Sequence, residues 1–332
     1  MNYLPDGQRP RISVVIPAYN EVDNIPGLLK TLEAELKRYA SFEVIIVDDG
    51  SSDGTLEILR GASSKHRWLR FISFSKNFGH QAALRAGLLA AVGDCAITMD
   101  ADLQHPPQFI HRMVASWESG ARIVLARRKT VAHVPLLKRV ASAWFYKLLS
   151  TLSDAPQIPG TADFRLLDRV VLDALARYKE ADLFLRGILP LLGFPTEVID
   201  YEEAPRTIGR SKYSWRRMVR LALTGVLTTS TKPLRLASLM SFVVLVVALT
   251  YTCYAFYVHF VLGIAQTGWT SLIIVVALLG AMQLFVLGII GEYLAQVLRE
   301  TRERPPFIVA HTNIDLQDTD GEIDACSRRS VG

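Results

Sequence analysis

Ile97-Thr98-Met99-Asp100-Ala101-Asp102-Leu103-Gln104-His105-Pro106-Pro107 ends an apolar run in two carboxylates one residue apart. Alternate side chains leave an extended strand on the same side. Asp100 and Asp102 are therefore expected to point into one site at a strand's end, with the Gln104 amide oxygen one step further on. Two carboxylates and an amide oxygen suit a hard cation, Mg²⁺ or Mn²⁺, that keeps positions open for phosphate oxygens. The same residues also suit an acidic turn, and the sequence around them decides between the two.

Upstream, short β-branched runs alternate with helical patterns. Strands are predicted over residues 11–17, 42–47, 69–74 and 94–99. Helices are predicted over 24–39, where Asn24 can cap and Pro26 fits the first turn, over 56–66, and over the Ala-rich 81–92. This rhythm indicates parallel βαβ units. Ligands of such sheets bind beyond the carboxyl ends of the strands. The polar clusters at 19–21, 48–53, 76–77 and 100–104 each follow a strand, so they should gather on one edge. Neither a G-x-G-x-x-G nor a G-x-x-x-x-G-K-[ST] run occurs, and dinucleotide and P-loop readings lack their phosphate cradles.

The apolar content, 50% of 332 residues, is uneven. Residues 236–258 and 270–291 carry no charge, and each run exceeds the roughly 20 apolar residues that cross a bilayer. Arg216, Arg217, Arg220, Lys232 and Arg235 precede the first run, and Arg299, Arg302 and Arg304 follow the second, whereas 263–268 has no Lys or Arg. The positive-inside rule then puts both termini and the α/β part in the cytoplasm, with two spans through a membrane and the short loop outside. The first ten residues lack the apolar core of a signal peptide. Cys95, Cys253 and Cys326 are isolated and suggest neither zinc nor a disulfide framework. A net charge of +5 is modest, and no nucleic-acid-binding module is evident.

Between the acidic stretch and the first apolar run, a helix is expected over 107–119 and a strand over 121–126 that ends in Arg127-Arg128-Lys129. Residues 136–151 mix Trp144, Phe145 and Tyr146 with Lys138, Arg139 and Lys147, which suits either a surface helix on the sheet or a helix in the membrane interface. Residues 160–167 read as a loop carrying the pair Asp163 and Arg165. A helix over 177–192 and a strand over 196–203 follow, then a basic segment through Ser214 and an amphipathic helix to Thr229. The polar tail after Val309 reads as disordered. Gly280, Gly288 and Gly291 could let the second span pack on a neighbour, so a homo-oligomer stays open.

The motifs at 14–21 (VVIPAYNE), 47–51 (VDDGS), 77–79 (NFG), 99–104 (MDADLQ), 163–166 (DFRL) and 209–212 (GRSK) resemble the family-2 inverting glycosyltransferases with a GT-A fold. More narrowly, they are similar to the polyprenyl-phosphate glycosyltransferases: the dolichyl-phosphate mannose synthase group and its bacterial bactoprenol glucosyltransferase relatives. Two spans ending in GIIGEYL (288–294) favour the bacterial branch. The resemblance implies a Rossmann-like, mostly parallel catalytic domain over 11–213 after an N-terminal tail (1–10). A juxtamembrane amphipathic helix (214–232), spans at 233–262 and 269–298, and a cytoplasmic tail (299–332) would follow. It implies that Pro17, Tyr19, Glu21, Asp48, Asp49 and Lys76 bind the nucleotide sugar together with Asp100, Ala101 and Asp102, Asp49 accepting from the base. Asp100, Asp102 and Gln104 would frame the metal and diphosphate. Arg128, Arg206 and Lys212 would surround the donor and acceptor phosphates, with Arg127 an alternative to Arg128. Asp163 would lie near the reacting sugar carbon or the acceptor phosphate.

The implied reaction moves a sugar, UDP-glucose being the first choice of donor, to undecaprenyl phosphate, giving a polyprenyl-phosphate sugar for the cell envelope. GDP-mannose, a UDP-N-acetylhexosamine or an aminoarabinose donor remain alternatives. A processive synthase would need more spans and a Q-x-x-R-W run, which the chain lacks. An inactive membrane-anchored scaffold is disfavoured by the intact Asp100, Asp102 and Lys212.

Overall fold

The computed structural model describes residues 12–39, 41–128, 161–178, 180, 185–201, 232–261, 268–302 and 304–314. Among these, eight strands form one sheet in the order β7-β5-β6-β4-β1-β2-β3-β8. The strands are β1 (Ile12–Ala18), β2 (Phe42–Asp48), β3 (Leu69–Phe74), β4 (Cys95–Thr98), β5 (Ile123–Arg128), β6 (Thr161–Asp168), β7 (Thr196–Tyr201) and β8 (Val309–Thr312). The helices are α1 (Ile25–Leu36), α2 (Thr55–Ser63), α3 (His80–Ala90), α4 (Ile110–Glu118), α5 (Arg169–Ala176), α6 (Leu185–Ile188), α7 (Lys232–Phe260) and α8 (Trp269–Thr301).

β1 pairs parallel with β2 and β4, and β2 with β3, as the alternating pattern requires. These strands are buried along their length, β1 completely. That is why they read as continuous β-branched runs. One face of the sheet packs Leu28, Leu32 and Leu36 of α1 and Ile110, Met113 and Trp117 of α4 against Val14, Ile16, Val44 and Ile97. The other packs Ala83 and Leu84 of α3 and Val171, Leu172 and Leu175 of α5 against Val15, Ile45, Val47 and Ala96. Each buried Leu of these layers contributes on the order of 1.5–3 kcal/mol. Close packing of α3 depends on Gly87, where a Cβ would sit 2.3 Å from Val15 Cγ1.

Several expectations are corrected. Residues 161–168 are not a loop but β6, the strand between β4 and β5 and antiparallel to both. Its neighbour β5 runs parallel to β7. The segment after β6 is helical at once: the Asp168 carboxylate accepts from the Val170 N–H at 2.9 Å and caps α5. Asn24 sits at the N-cap position of α1 but makes no cap bond; its amide donates to the Glu21 carboxylate at 2.6 Å. The helix after Pro107 begins as a 3₁₀ turn before α4.

The tail does not leave the domain at Val309. β8 pairs antiparallel with β3, and the Ser75 N–H donates to Ile308 O at 3.0 Å. The Asn313 side chain accepts from Phe71 N–H at 2.7 Å and donates to Leu69 O at 3.2 Å, as a ladder residue would. Phe307 stacks on Phe74 with ring centroids 5.0 Å apart.

The chain divides into two compact units. The second contains α7 and α8, which have 29 and 33 residues. Among the described residues, Leu278–Thr301 is long and apolar enough to cross a membrane, and Leu239–Tyr251 is a shorter apolar stretch. Phe242, Val247 and Leu249 on α7 and Leu284, Phe285 and Leu287 on α8 are exposed.

Candidate active site

Strand direction decides what reaches the site edge. β1 to β4 run the same way, so the residues after Ala18, Asp48, Phe74 and Thr98 emerge together. β6 runs oppositely, so its beginning, with Asp163, lies at that edge. β5 and β7 bring Arg127, Arg128, Asp200 and Tyr201 to it by their ends. The cluster of strand-end acids expected from the sequence is therefore extended by a strand that the sequence did not reveal.

Beyond β1 and β2 the site edge is built from two interlocked loops. Asp48 is buried, its carboxylate taking the Ser73 hydroxyl at 2.8 Å and the Ser51 N–H at 3.0 Å. Asp49 is also buried, and its carboxylate accepts from Phe78 N–H at 2.7 Å and Gly79 N–H at 2.9 Å. Burial raises its pKa against these two N–H groups, which act to lower it. Gly50 makes the loop contact possible. It holds φ +67°, and a Cβ there would lie 2.4 Å from the Lys76 carbonyl carbon. The loop after β1 is tied in by Asn20 N–H to Ser51 Oγ (2.9 Å) and Ser52 N–H to Asn20 Oδ1 (2.9 Å). Asp53 accepts from Val22 N–H at 3.2 Å and from the Thr55 hydroxyl at 2.6 Å. Pro17 is buried within β1, Tyr19 is exposed, and Lys76 Nζ lies 5.1 Å from the centroid of the Phe78 ring.

The acidic stretch lies just beyond β4. Strand geometry stops at Thr98, and Ala101 and Asp102 are in a turn, which corrects the expectation that Asp100 and Asp102 extend a strand. Leu103 takes φ +60°, rare for a branched side chain and costing roughly 1–2 kcal/mol. Ala101 is buried, and Asp102 Oδ1 accepts from Gln104 N–H at 3.1 Å. Asp100 keeps a partly exposed carboxylate. Its N–H donates to His105 Nδ1 at 3.0 Å, and His105 is wedged flat on Phe164 with centroids 4.8 Å apart. No group of three or more His, Cys, Asp or Glu that could hold a metal by itself occurs among the described residues. The donor set of Asp100, Asp102 and Gln104 fits a cation that takes one or two carboxylates from the protein and the rest of its oxygens from a diphosphate.

Asp163 forms the third part. It is 8% exposed and is held by Arg165 and by both Arg186 Nε (3.1 Å) and Nη2 (2.9 Å). His80 Nε2 lies 3.4 Å from Asp163 Oδ2 and 3.8 Å from Asp100 Oδ1. Burial acts to raise the Asp163 pKa, but Arg165, His80 and Arg186 outweigh it and hold the carboxyl well below the usual carboxylate range. Asp163 is thus a fixed anion at neutral pH.

Arg127 forms a bidentate pair with Asp200, at 2.6 and 3.1 Å, on the neighbouring strand. Arg128, the next residue of β5, is exposed. Arg206 and Lys212 lie outside the described residues, as do the expected helices over 136–151 and 214–229. Three residues of this constellation, His80, His105 and Arg186, carried no sequence signal of their own. Position was the pointer to two of them, in that His80 follows NFG and His105 follows DADLQ, and Arg186 had none.

Residues 13–175 match the model of glycosyl transferase family 2, and residues 232–297 match the GtrB C-terminal hairpin. The chain is 36% identical to an uncharacterized glycosyltransferase, YkcC, of Bacillus subtilis (strain 168), over 90% of this chain and 92% of that one. It is 36% identical to a prophage bactoprenol glucosyl transferase homolog of Escherichia coli (strain K12), over 90% and 98%. It is 35% identical to the bactoprenol glucosyl transferase of Shigella phage SfV, over 90% and 98%. With strand-end acids gathered on a mostly parallel sheet and relatives matched along almost their whole length, the chain belongs to glycosyl transferase family 2 and is a glycosyltransferase.

Proposed function

We propose that the chain transfers a sugar, with inversion, from a nucleotide diphosphate to the phosphate of a polyprenyl phosphate at the cytoplasmic face of the inner membrane. UDP-glucose is the proposed donor and undecaprenyl phosphate the acceptor. The observation that carries the reading is the placement of Asp49 and Asp100, just beyond β2 and β4, and Asp163, in β6, around the start of α3. The names of the phage and prophage relatives, bactoprenol glucosyl transferases, support the choice of sugar and lipid.

Asp48, Asp49, Tyr19, Glu21, Pro17 and Lys76 would hold the nucleoside end. Asp100, Asp102 and Gln104 would hold Mg²⁺ or Mn²⁺ against the diphosphate. Bound there, the cation would stabilise charge on the departing nucleotide as a Lewis acid. Arg128, Arg206 and Lys212 would neutralise the acceptor phosphate, arginine through bidentate contacts and lysine as a point charge. A phosphate monoester has a second pKa near 6, so the acceptor is already largely ionised at neutral pH. A base is not needed to make it a nucleophile. Asp163, clamped as an anion by two guanidinium groups, positions and polarises rather than takes a proton.

A soluble donor and a membrane-bound acceptor meet only at the headgroup plane. α7 and α8 would supply that placement as two spans with a short external loop. The test is a panel of nucleotide sugars incubated with purified protein and undecaprenyl phosphate. Glycolipid from UDP-glucose is expected. Glycolipid from another donor alone would reassign the sugar, and a long polysaccharide product would overturn single transfer.

A further inference from the structure

The start of α3 touches three strand-end acids at once. Phe78 and Gly79 give their N–H groups to Asp49 at 2.7 and 2.9 Å. The next residue, His80, sends Nε2 to within 3.4 Å of Asp163 and 3.8 Å of Asp100. The backbone of this turn therefore serves the nucleoside end while the side chain serves the sugar end. Asp163 is fixed on its other sides by Arg165 and Arg186. His105 accepts from the Asp100 N–H at Nδ1 and brings Nε2 to 3.7 Å from Asp100 Oδ2, while His80 is the histidine that faces both Asp100 and Asp163. His105 stands against Asp100 on one side and the two arginines hold Asp163 on the other, so His80 occupies the gap between two carboxylates that are each already anchored.

Resting on the transferase reading above, we infer that His80 is a positioning residue, whose Nε2–H spaces the donor-side carboxylate Asp100 against Asp163 so that the sugar carbon is held between them. The role needs a donor at the Nε2 position and no change of protonation. It separates binding from turnover. Asp49 is held by backbone groups that a substitution at His80 leaves in place, whereas the Asp100–Asp163 spacing is set by the side chain.

The experiment compares His80→Ala and His80→Gln in the full chain. The Gln amide nitrogen comes close to the position of Nε2 and can donate; Ala offers nothing. His80→Ala should lower kcat by about 10- to 100-fold, the scale of a misplacement near 1 Å, while donor KM and UDP affinity stay within about threefold. His80→Gln should recover most of the kcat. Wild-type kcat in His80→Ala, beside an inactive Asp102→Asn, would overturn the inference and leave the transferase reading intact. Equal loss in both variants, or loss of UDP affinity with kcat unchanged, would also overturn it, since a general loop-holding role produces that pattern. Absence of transfer by the wild-type chain from every sugar nucleotide would overturn both readings together.

Discussion

At the scale of single residues, the site is a set of carboxylates held in different ways, and the differences predict different mutants. Asp102 accepts from the Gln104 N–H through Oδ1, and its carboxylate is proposed to hold the cation. Asp102→Asn should abolish metal-dependent transfer, a fall of at least about 100-fold, without altering membrane insertion. Asp163 is the opposite case. Its replacement by Asn would leave Arg165, 2% exposed, facing a neutral amide. A loss of about 3–5 kcal/mol is expected, read as a lower midpoint in thermal unfolding. The sign with pH follows from the depressed carboxyl. A pKa lower in the folded than in the unfolded chain contributes stability that is complete above the ordinary carboxylate pKa, about 4. That stability is lost as the pH falls through the folded value. Between pH 5 and 8 Asp163 therefore does not titrate. The acid limb of kcat/KM for the acceptor should follow the phosphate, with a midpoint near 6. A limb set by the carboxyl group would instead move when Asp163→Glu replaces it. Gly50→Ala combines a left-handed φ with a Cβ 2.4 Å from the Lys76 carbonyl carbon, and should cost at least about 2 kcal/mol and weaken UDP binding.

At the scale of elements, β1 to β4 and their helices were legible because each pairs a buried β-branched run with an amphipathic partner. β3 falls where it was expected, at Leu69–Phe74. Two strands were not legible. β6 holds Asp163, Arg165 and Asp168, charges that argue for a loop until their burial is satisfied by Arg186, Trp117 and Arg122 from other elements. β8 is four residues long, with His311 and Thr312 on a sheet edge, and lacks the apolar alternation of a longer strand. Its stability comes from Asn313 and Phe307, partners in contact only after folding. Asp48, Asp49, Asp100 and Asp102 could be read from their position at or after strand ends, whereas Asp163 lies within β6. The histidines that link them could not, because local sequence does not encode a bond between His80 and a residue 83 positions away. Asn313→Ala should strip two hydrogen bonds from the β3 edge, cost about 1–3 kcal/mol, and speed amide exchange at Phe71.

For the molecule as a whole, the proposed function requires a cytoplasmic sugar-nucleotide site and a helical hairpin in the membrane. The hairpin match over residues 232–297 covers most of α7 and α8. With the native cysteines replaced, a cysteine introduced at Thr267 should react with an impermeant thiol reagent from outside the cell, and one at Ser64 should react only after lysis. The reverse pattern would invert the proposed topology. The proposed reaction needs donor and acceptor in one plane, so the decisive measurement is transfer itself. Purified chain in liposomes containing undecaprenyl phosphate, given UDP-[¹⁴C]glucose and Mg²⁺ or Mn²⁺, should produce a labelled polyprenyl-phosphate glucose that EDTA suppresses. Labelled glycolipid formed equally well with EDTA, or none formed with either metal, would contradict the account.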